Sequence, residues 1–211
     1  MERAEEDFPS IKARFLLSIN RMAPVSDAEE ILELFDQVDE TYREYMVGVE
    51  LSGDPRSGSF SDFEPIFDKM RSRGIKISLH CAETEDQIEE SQKMIEFKPD
   101  RLGHCCFLNE DQLKWIHEQG IPVEVCPTSN LAVVKEALNE VGRLPHLKVL
   151  QDLNARFSIC CDDTMLFSTN ISTELFEYAK GFRLTGKQLK ERMELACEAI
   201  FDDTQKEWLL D

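Results

Sequence analysis

Six short apolar runs, ARFLLSIN (13–20), MVGVELS (46–52), IKISLHC (75–81), DRLGHCC (100–106), IPVEVC (121–126) and RFSICC (156–161), alternate with amphipathic stretches of helical period. This alternation narrows the fold more than any other feature. Runs of this length and apolarity read as strands covered on both faces, and helices between them imply a parallel sheet, so the class is α/β. Helices are expected at 27–45, with Ser26 or Asp27 as cap, and at 61–73, 85–96, 109–118, 131–142, 171–180, 186–199 and 203–210. No linker or low-complexity tract interrupts the pattern.

Composition excludes several classes. The 211 residues carry 24 Lys and Arg against 42 Asp and Glu, a net charge of -18, which argues against nucleic-acid backbones and anionic membranes as partners. No apolar run approaches the roughly 20 residues of a membrane span, and the acidic MERAEEDFPS does not read as a signal peptide. Seven cysteines, among them the adjacent pairs Cys105-Cys106 and Cys160-Cys161, make no disulfide framework or zinc clamp. They lie in or beside apolar runs, as small buried thiols do in a reducing cytosol, so a cytoplasmic location is expected.

Chemistry-bearing residues gather at the C-terminal ends of the strands: Ser52-Gly53-Asp54, His80 and Glu83, His104, Pro127 to Asn130, and Asp162-Asp163. In a (β/α)8 barrel that face carries the chemistry. A doubly wound sheet also binds ligands at strand ends, but the βα turns contain no GxGxxG and no GxxxxGK[ST]. Each residue has a plainer alternative. Asp162-Asp163 reads as a helix N-cap, His104 as a satisfied turn histidine, Gly53 as a left-handed glycine and Pro127 to Asn130 as a capped turn. His117 reads as helical and His146 as a loop residue, both with solvated or local roles. In combination, two histidines, a glutamate and an aspartate pair form a coherent set, because zinc takes imidazole and carboxylate ligands while a free acid and base move protons.

These motifs together resemble the adenosine deaminase family. HCAE (80–83) is similar to its HAGE signature, RLGHC (101–105) to RxGHG, CPTSN (126–130) to its CPTSN, and CDDT (161–164) to TDDP. GVELSGDP (48–55) and DDTMLFSTNISTELFEYAK (162–180) resemble the adenosine deaminase-like branch, whose members act as N6-methyl-AMP deaminases. The resemblance implies a metal-dependent hydrolase of (β/α)8 TIM-barrel type that binds one Zn2+ and deaminates a purine nucleoside or nucleotide. It implies zinc ligation by His80 and Asp162, protonation of purine N1 by Glu83, and positioning of the attacking water by His104. Asp163 would contact N7, and the backbone of Gly53 would approach N3.

One departure stands out: the family's first strand carries an HxH zinc-ligand pair, and this sequence contains no HxH. Counted back from the motifs, the six strands correspond to strands three to eight. The expectation is therefore an incomplete barrel lacking strands one and two, with residues 1–12 as a non-native or disordered leader and 13–211 as the partial barrel. Half of the zinc ligands would be absent and two sheet edges open, so weak or absent activity and self-association through those edges are expected. The rival expectation is a catalytically dead partial barrel that acts as an interaction protein.

Overall fold

The computed structural model describes residues 2–210. In chain order it contains α1 (Glu2–Asp7), β1 (Phe15–Asn20), α2 (Val25–Gln37), α3 (Glu40–Arg43), β2 (Met46–Ser52), α4 (Phe60–Ser72) and β3 (Lys76–Cys81). Next come α5 (Ile88–Glu96), β4 (Arg101–His104), α6 (Glu110–Glu118), β5 (Val123–Val125), α7 (Pro127–Val133), α8 (Pro145–Asp152) and β6 (Phe157–Ile159). The chain ends in α9 (Thr164–Phe167), α10 (Ile171–Gly181), α11 (Gly186–Cys197) and α12 (Asp203–Leu210). Short 3₁₀ turns occupy Glu85–Gln87, Lys135–Ala137 and Val141–Arg143.

The strands form one six-stranded sheet in the order β1 to β6, with β1–β2, β2–β3, β4–β5 and β5–β6 paired in parallel. A doubly wound sheet reverses its strand order at a switch point; sequential order with a helix after each strand is the topology of a (β/α) barrel. Each strand's C-terminal end opens into a βα loop, and those loops hold the residues of interest.

The chain divides into two compact units, one of residues 1–79 and 200–211, the other of 80–199. In the first, Ala28, Leu32 and Phe35 recur at i, i+4 and i+7 along α2, and Phe63, Ile66, Phe67 and Met70 form the matching stripe on α4. With Ile19, Val49, Leu51, Ile77 and Leu79 from the strands they are shielded from water. Each of these side chains larger than Ala28 contributes about 1.5–3 kcal/mol of transfer free energy. Residues 1–12, expected as a leader, carry α1, whose Glu5 accepts from the Ala13 N–H and pairs with Arg14 at 3.1 Å. Met1 lies outside the described residues.

The expected 27–45 helix is two helices. Val38 turns extended (φ -64°, ψ 136°), and Asp39 caps α3 by accepting from the Thr41 N–H at 2.8 Å. A β-branched residue followed by a strong N-cap favours a break and restart over one long helix. The start also differs, because Pro24 rather than Ser26 or Asp27 occupies the cap of α2.

In the second unit, Leu102, Val123, Val125 and Phe157 on the strands are buried with Leu113, Ile116, Leu147, Leu150 and Tyr178 on the helices. Phe157 meets Tyr178 edge to face, centroids 5.8 Å apart. The Arg192 guanidinium lies 4.5 Å over the Phe157 ring and donates to Ala155 O and Asn154 Oδ1. The expected helix at 131–142 is instead α7 and two 3₁₀ turns. Pro127, whose missing N–H is no loss at the first helical position, starts α7 early, while left-handed Leu138 and Asn139 prevent a continuous helix beyond it. Pro145 starts α8 in the same way, so His146 sits on a helix and not in a loop. All seven cysteines are free thiols, four buried and three partly so. Among the described residues, no helix is long and apolar enough to cross a membrane.

Candidate active site

His80 is the penultimate residue of β3 and His104 the last of β4. Their rings meet edge to face with centroids 4.8 Å apart at 82°. Glu83 completes the cluster: Oε1 lies 3.4 Å from His80 Nδ1, and Oε2 lies 3.9 Å from His104 Nε2. His104 is 4% exposed, whereas the His80 and Glu83 side chains each keep 22% of their surface accessible. The cluster thus has a closed floor and an open side. Burial lowers the pKa of His104, and the neighbouring His80 opposes a second positive charge; the attraction of Glu83 and Asp162 pulls the other way. His104 is accordingly neutral near pH 7.

The backbone at this cluster is unusual. Ala82, His104, Cys105 and Asp162 all have φ between +51° and +61°, the left-handed region that costs a residue with a Cβ about 1–2 kcal/mol. Such conformations persist where the surroundings over-determine them, and they gather at functional sites. Here the Cys105 N–H donates to Cys81 O at 2.9 Å and the Phe107 N–H to Ala82 O at 3.1 Å, tying the turns after β3 and β4 together. Without the left-handed step at His104, its ring would follow the strand's alternation away from Glu83.

Other residues hold the acid and the imidazole. Gln87 Oε1 accepts from the backbone N–H groups of Glu83 (2.9 Å) and Thr84 (3.3 Å), half of a capping box with Thr84 that fixes the loop carrying Glu83. The sequence signal for it is the spacing of TEDQ at 84–87. Asn130, 1% exposed, accepts from the Cys126 N–H at 3.3 Å and from His146 Nε2 at 3.2 Å, and its Nδ2 lies 3.1 Å from His104 Nδ1. His146, expected in a local or solvated role, is 1% exposed and one residue away from the candidate cluster. Burial and the nearby His104 lower its pKa to about 3.

After β6, Asp162 is exposed and left-handed. Asp163 fills the N-cap role that was its plainer reading: its Oδ1 accepts from the N–H groups of Met165 and Leu166 and caps α9. Glu174 on α10, fully buried, accepts from Thr128 N–H (3.0 Å), Thr128 Oγ1 (2.5 Å) and Thr169 Oγ1 (2.5 Å), which fastens the CPTSN turn. Its charge also faces the positive N-terminal end of α7. Gly53, in the other compact unit, has φ +104°, and a Cβ there would lie 2.5 Å from Asn20 Oδ1. A glycine is thus required locally, whatever approaches its backbone.

Among the described residues, two donor sets could hold a metal. Ligand atoms of His80, Glu83 and His104 lie within 4.8 Å of one another, and so do those of His104, Cys126 and Asp162. His80 and Asp162, the ligands implied by resemblance, thus fall into different sets that share His104. Tetrahedral zinc holds nitrogen and oxygen ligands about 3.3–3.5 Å apart, so contraction by roughly an ångström would suffice. Imidazoles and carboxylates suit zinc. The Cys126 thiol does not offer itself as readily, because its hydrogen bond with Cys160 and its burial raise its pKa.

The family model "Adenosine deaminase" matches residues 1–211. The adenosine deaminase-like protein of Drosophila melanogaster is 35% identical over 200 residues, covering 95% of this chain and 57% of that protein. The crystal structure of the Arabidopsis N6-mAMP deaminase superposes with a TM-score of 0.83 at 31% identity, covering 93% of this chain and 57% of the other. The Arabidopsis ADAL structure complexed with IMP gives 0.81 at 30% identity, with 93% and 56% covered. The chain therefore spans little more than half the length of the proteins it matches, and its fold is part of a deaminase-type (β/α) barrel. It belongs to the adenosine deaminase family.

Proposed function

We propose that this site serves the hydrolytic deamination of a 6-aminopurine nucleotide of the N6-methyl-AMP type, with water replacing the C6 amine to give an inosine-type product and methylamine. The reading is carried by one observation: Glu83 sits between two imidazoles at neighbouring strand ends, 3.4 Å from one and 3.9 Å from the other. The name of the Arabidopsis N6-mAMP deaminase and the IMP in the related complex support the substrate class.

In this reading His80 and Asp162 would hold zinc, with His104 common to both donor sets. Zinc, when bound there, supplies Lewis-acid activation of water near neutral pH. Glu83 delivers a proton to purine N1 as oxygen adds at C6, which makes the ring an electron sink. His104 orients the attacking oxygen from the closed floor of the cluster. Asp163 contacts purine N7. The sequence offers no counterpart of the HxH ligands, so metal affinity and turnover of this chain alone are expected to be low.

The test is to supply the purified chain with zinc and N6-methyl-AMP, AMP or adenosine. Methylamine or ammonia release that Glu83→Gln abolishes supports the proposal. A zinc-loaded chain that neither binds nor turns over any of the three overturns it.

A further inference from the structure

The hydrogen bonds of Asn130 determine where the proton of His104 resides. A backbone N–H can only donate, so the Asn130 atom 3.3 Å from the Cys126 nitrogen is the carbonyl oxygen, and the amide cannot be flipped without losing that bond. The other end, Nδ2, can also only donate, and it lies 3.1 Å from His104 Nδ1. Nδ1 must therefore present its lone pair. In a neutral imidazole the proton is then on Nε2, the nitrogen that faces Glu83 Oε2 at 3.9 Å.

His146 completes the arrangement from the far side. Its Nε2 lies 3.2 Å from the same Asn130 oxygen and must donate to it. Its Nδ1 is buried and, among the described residues, has no hydrogen-bond partner. A bare lone pair is tolerable there; a second N–H would be an orphaned donor carrying part of a buried charge. His146 is thus confined to one tautomer, and it occupies the second lone pair of the Asn130 oxygen with a donor. The amide is held by two donors at one end and offers its own donor at the other.

We infer that Asn130 and His146 are positioning residues that fix His104 as the Nε2–H tautomer, so that His104 meets the reacting oxygen as a hydrogen-bond donor and not as a proton acceptor. The catalytic consequence rests on the deaminase reading above; the tautomer itself does not. Asn130 lies in a motif whose plainer reading is a capped turn, and His146 lies 42 residues from His104 in sequence, so strand-end position singles out neither.

The experiment is a two-bond ¹H–¹⁵N correlation spectrum of the full chain, labelled at the histidine ring nitrogens and kept in metal-free buffer at pH 7. His104 is assigned by the signals lost in His104→Asn. The expected result is a proton on Nε2. Asn130→Asp then supplies the sharpest contrast, because the carboxylate still accepts from the Cys126 N–H and from His146 but can no longer donate to His104. The proton should move to Nδ1. A wild-type His104 with its proton on Nδ1 overturns the inference without any variant, and so does an unmoved Nε2 proton in a folded Asn130→Asp chain. Turnover is not read, so failure of the deaminase reading and failure of the tautomer assignment are separate results.

Discussion

Gly103 gives the His80 ring its place: a Cβ on Gly103 would stand 3.1 Å from His80 Cδ2 and 3.4 Å from its Cα. Both distances are at the tight end of ordinary contact, so the ring of the half-buried histidine must shift by a few tenths of an ångström if a methyl group is added. Gly103→Ala is expected to leave stability within about 1 kcal/mol, because the gain from restricting the unfolded chain offsets the contact. Zinc affinity should fall roughly tenfold, the usual effect of misplacing a ligand's support. Competition against a chromophoric chelator measures the second quantity and urea unfolding the first; equal affinities would mean that the ring accommodates the methyl without moving its ligating nitrogen.

Glu174→Gln is expected to destabilise the chain by about 1.5–3 kcal/mol. The buried carboxylate takes three donors from Thr128 and Thr169. An amide of the same shape turns an NH₂ group toward some of them, leaving donors face to face. Urea unfolding at pH 7 checks this, and a change under about 0.5 kcal/mol would show that the two threonines find other acceptors.

Acid should destabilise the chain through His146. Its folded pKa, about 3, lies below the ordinary value of 6.5, so the unfolded chain binds the extra proton first as pH falls. Stability from this group is fully present above pH 6.5 and is lost as pH drops toward 3. Between about pH 7 and 4.5 the loss amounts to roughly 2–3 kcal/mol at about 1.4 kcal/mol per unit. His146→Gln keeps an N–H for the Asn130 oxygen but cannot titrate, so its stability curve should be flatter over that range by this amount. Parallel curves for the two chains would contradict the buried neutral state.

The strands and the strand-end cluster were legible because both depend on short-range pattern. Runs such as IKISLHC end where their histidine emerges, and the observed β3 differs from the expected strand by a single residue. Helix bounds failed where a local cap outweighed periodicity, at Asp39 and Pro127, and α8, which Pro145 starts, was not expected at all. What stayed hidden was the support of the site. Asn130 on α7 contacts His104 at the end of β4 across 26 residues and His146 on α8 across 16, and no spacing rule connects side chains that meet only when these elements pack. Asp163 shows the reverse: its capping role could be read locally, and the structure has it.

Which donors take the metal can be decided by the colour of cobalt. The set with Cys126 requires a thiolate, yet the Cys126 proton is held by its hydrogen bond with Cys160 and by burial. Removing it costs more than binding through imidazole and carboxylate, which are ready at neutral pH. Co2+ added to the chain should therefore give ligand-field absorption without an intense sulfur charge-transfer band in the near ultraviolet. Cys126→Ser should leave affinity within about twofold, whereas His80→Ala and Asp162→Asn should each lower it by at least about tenfold. A strong charge-transfer band that Cys126→Ser removes would transfer the metal to the His104, Cys126 and Asp162 set, and with it the assignment of His80 from ligand to partner of Glu83.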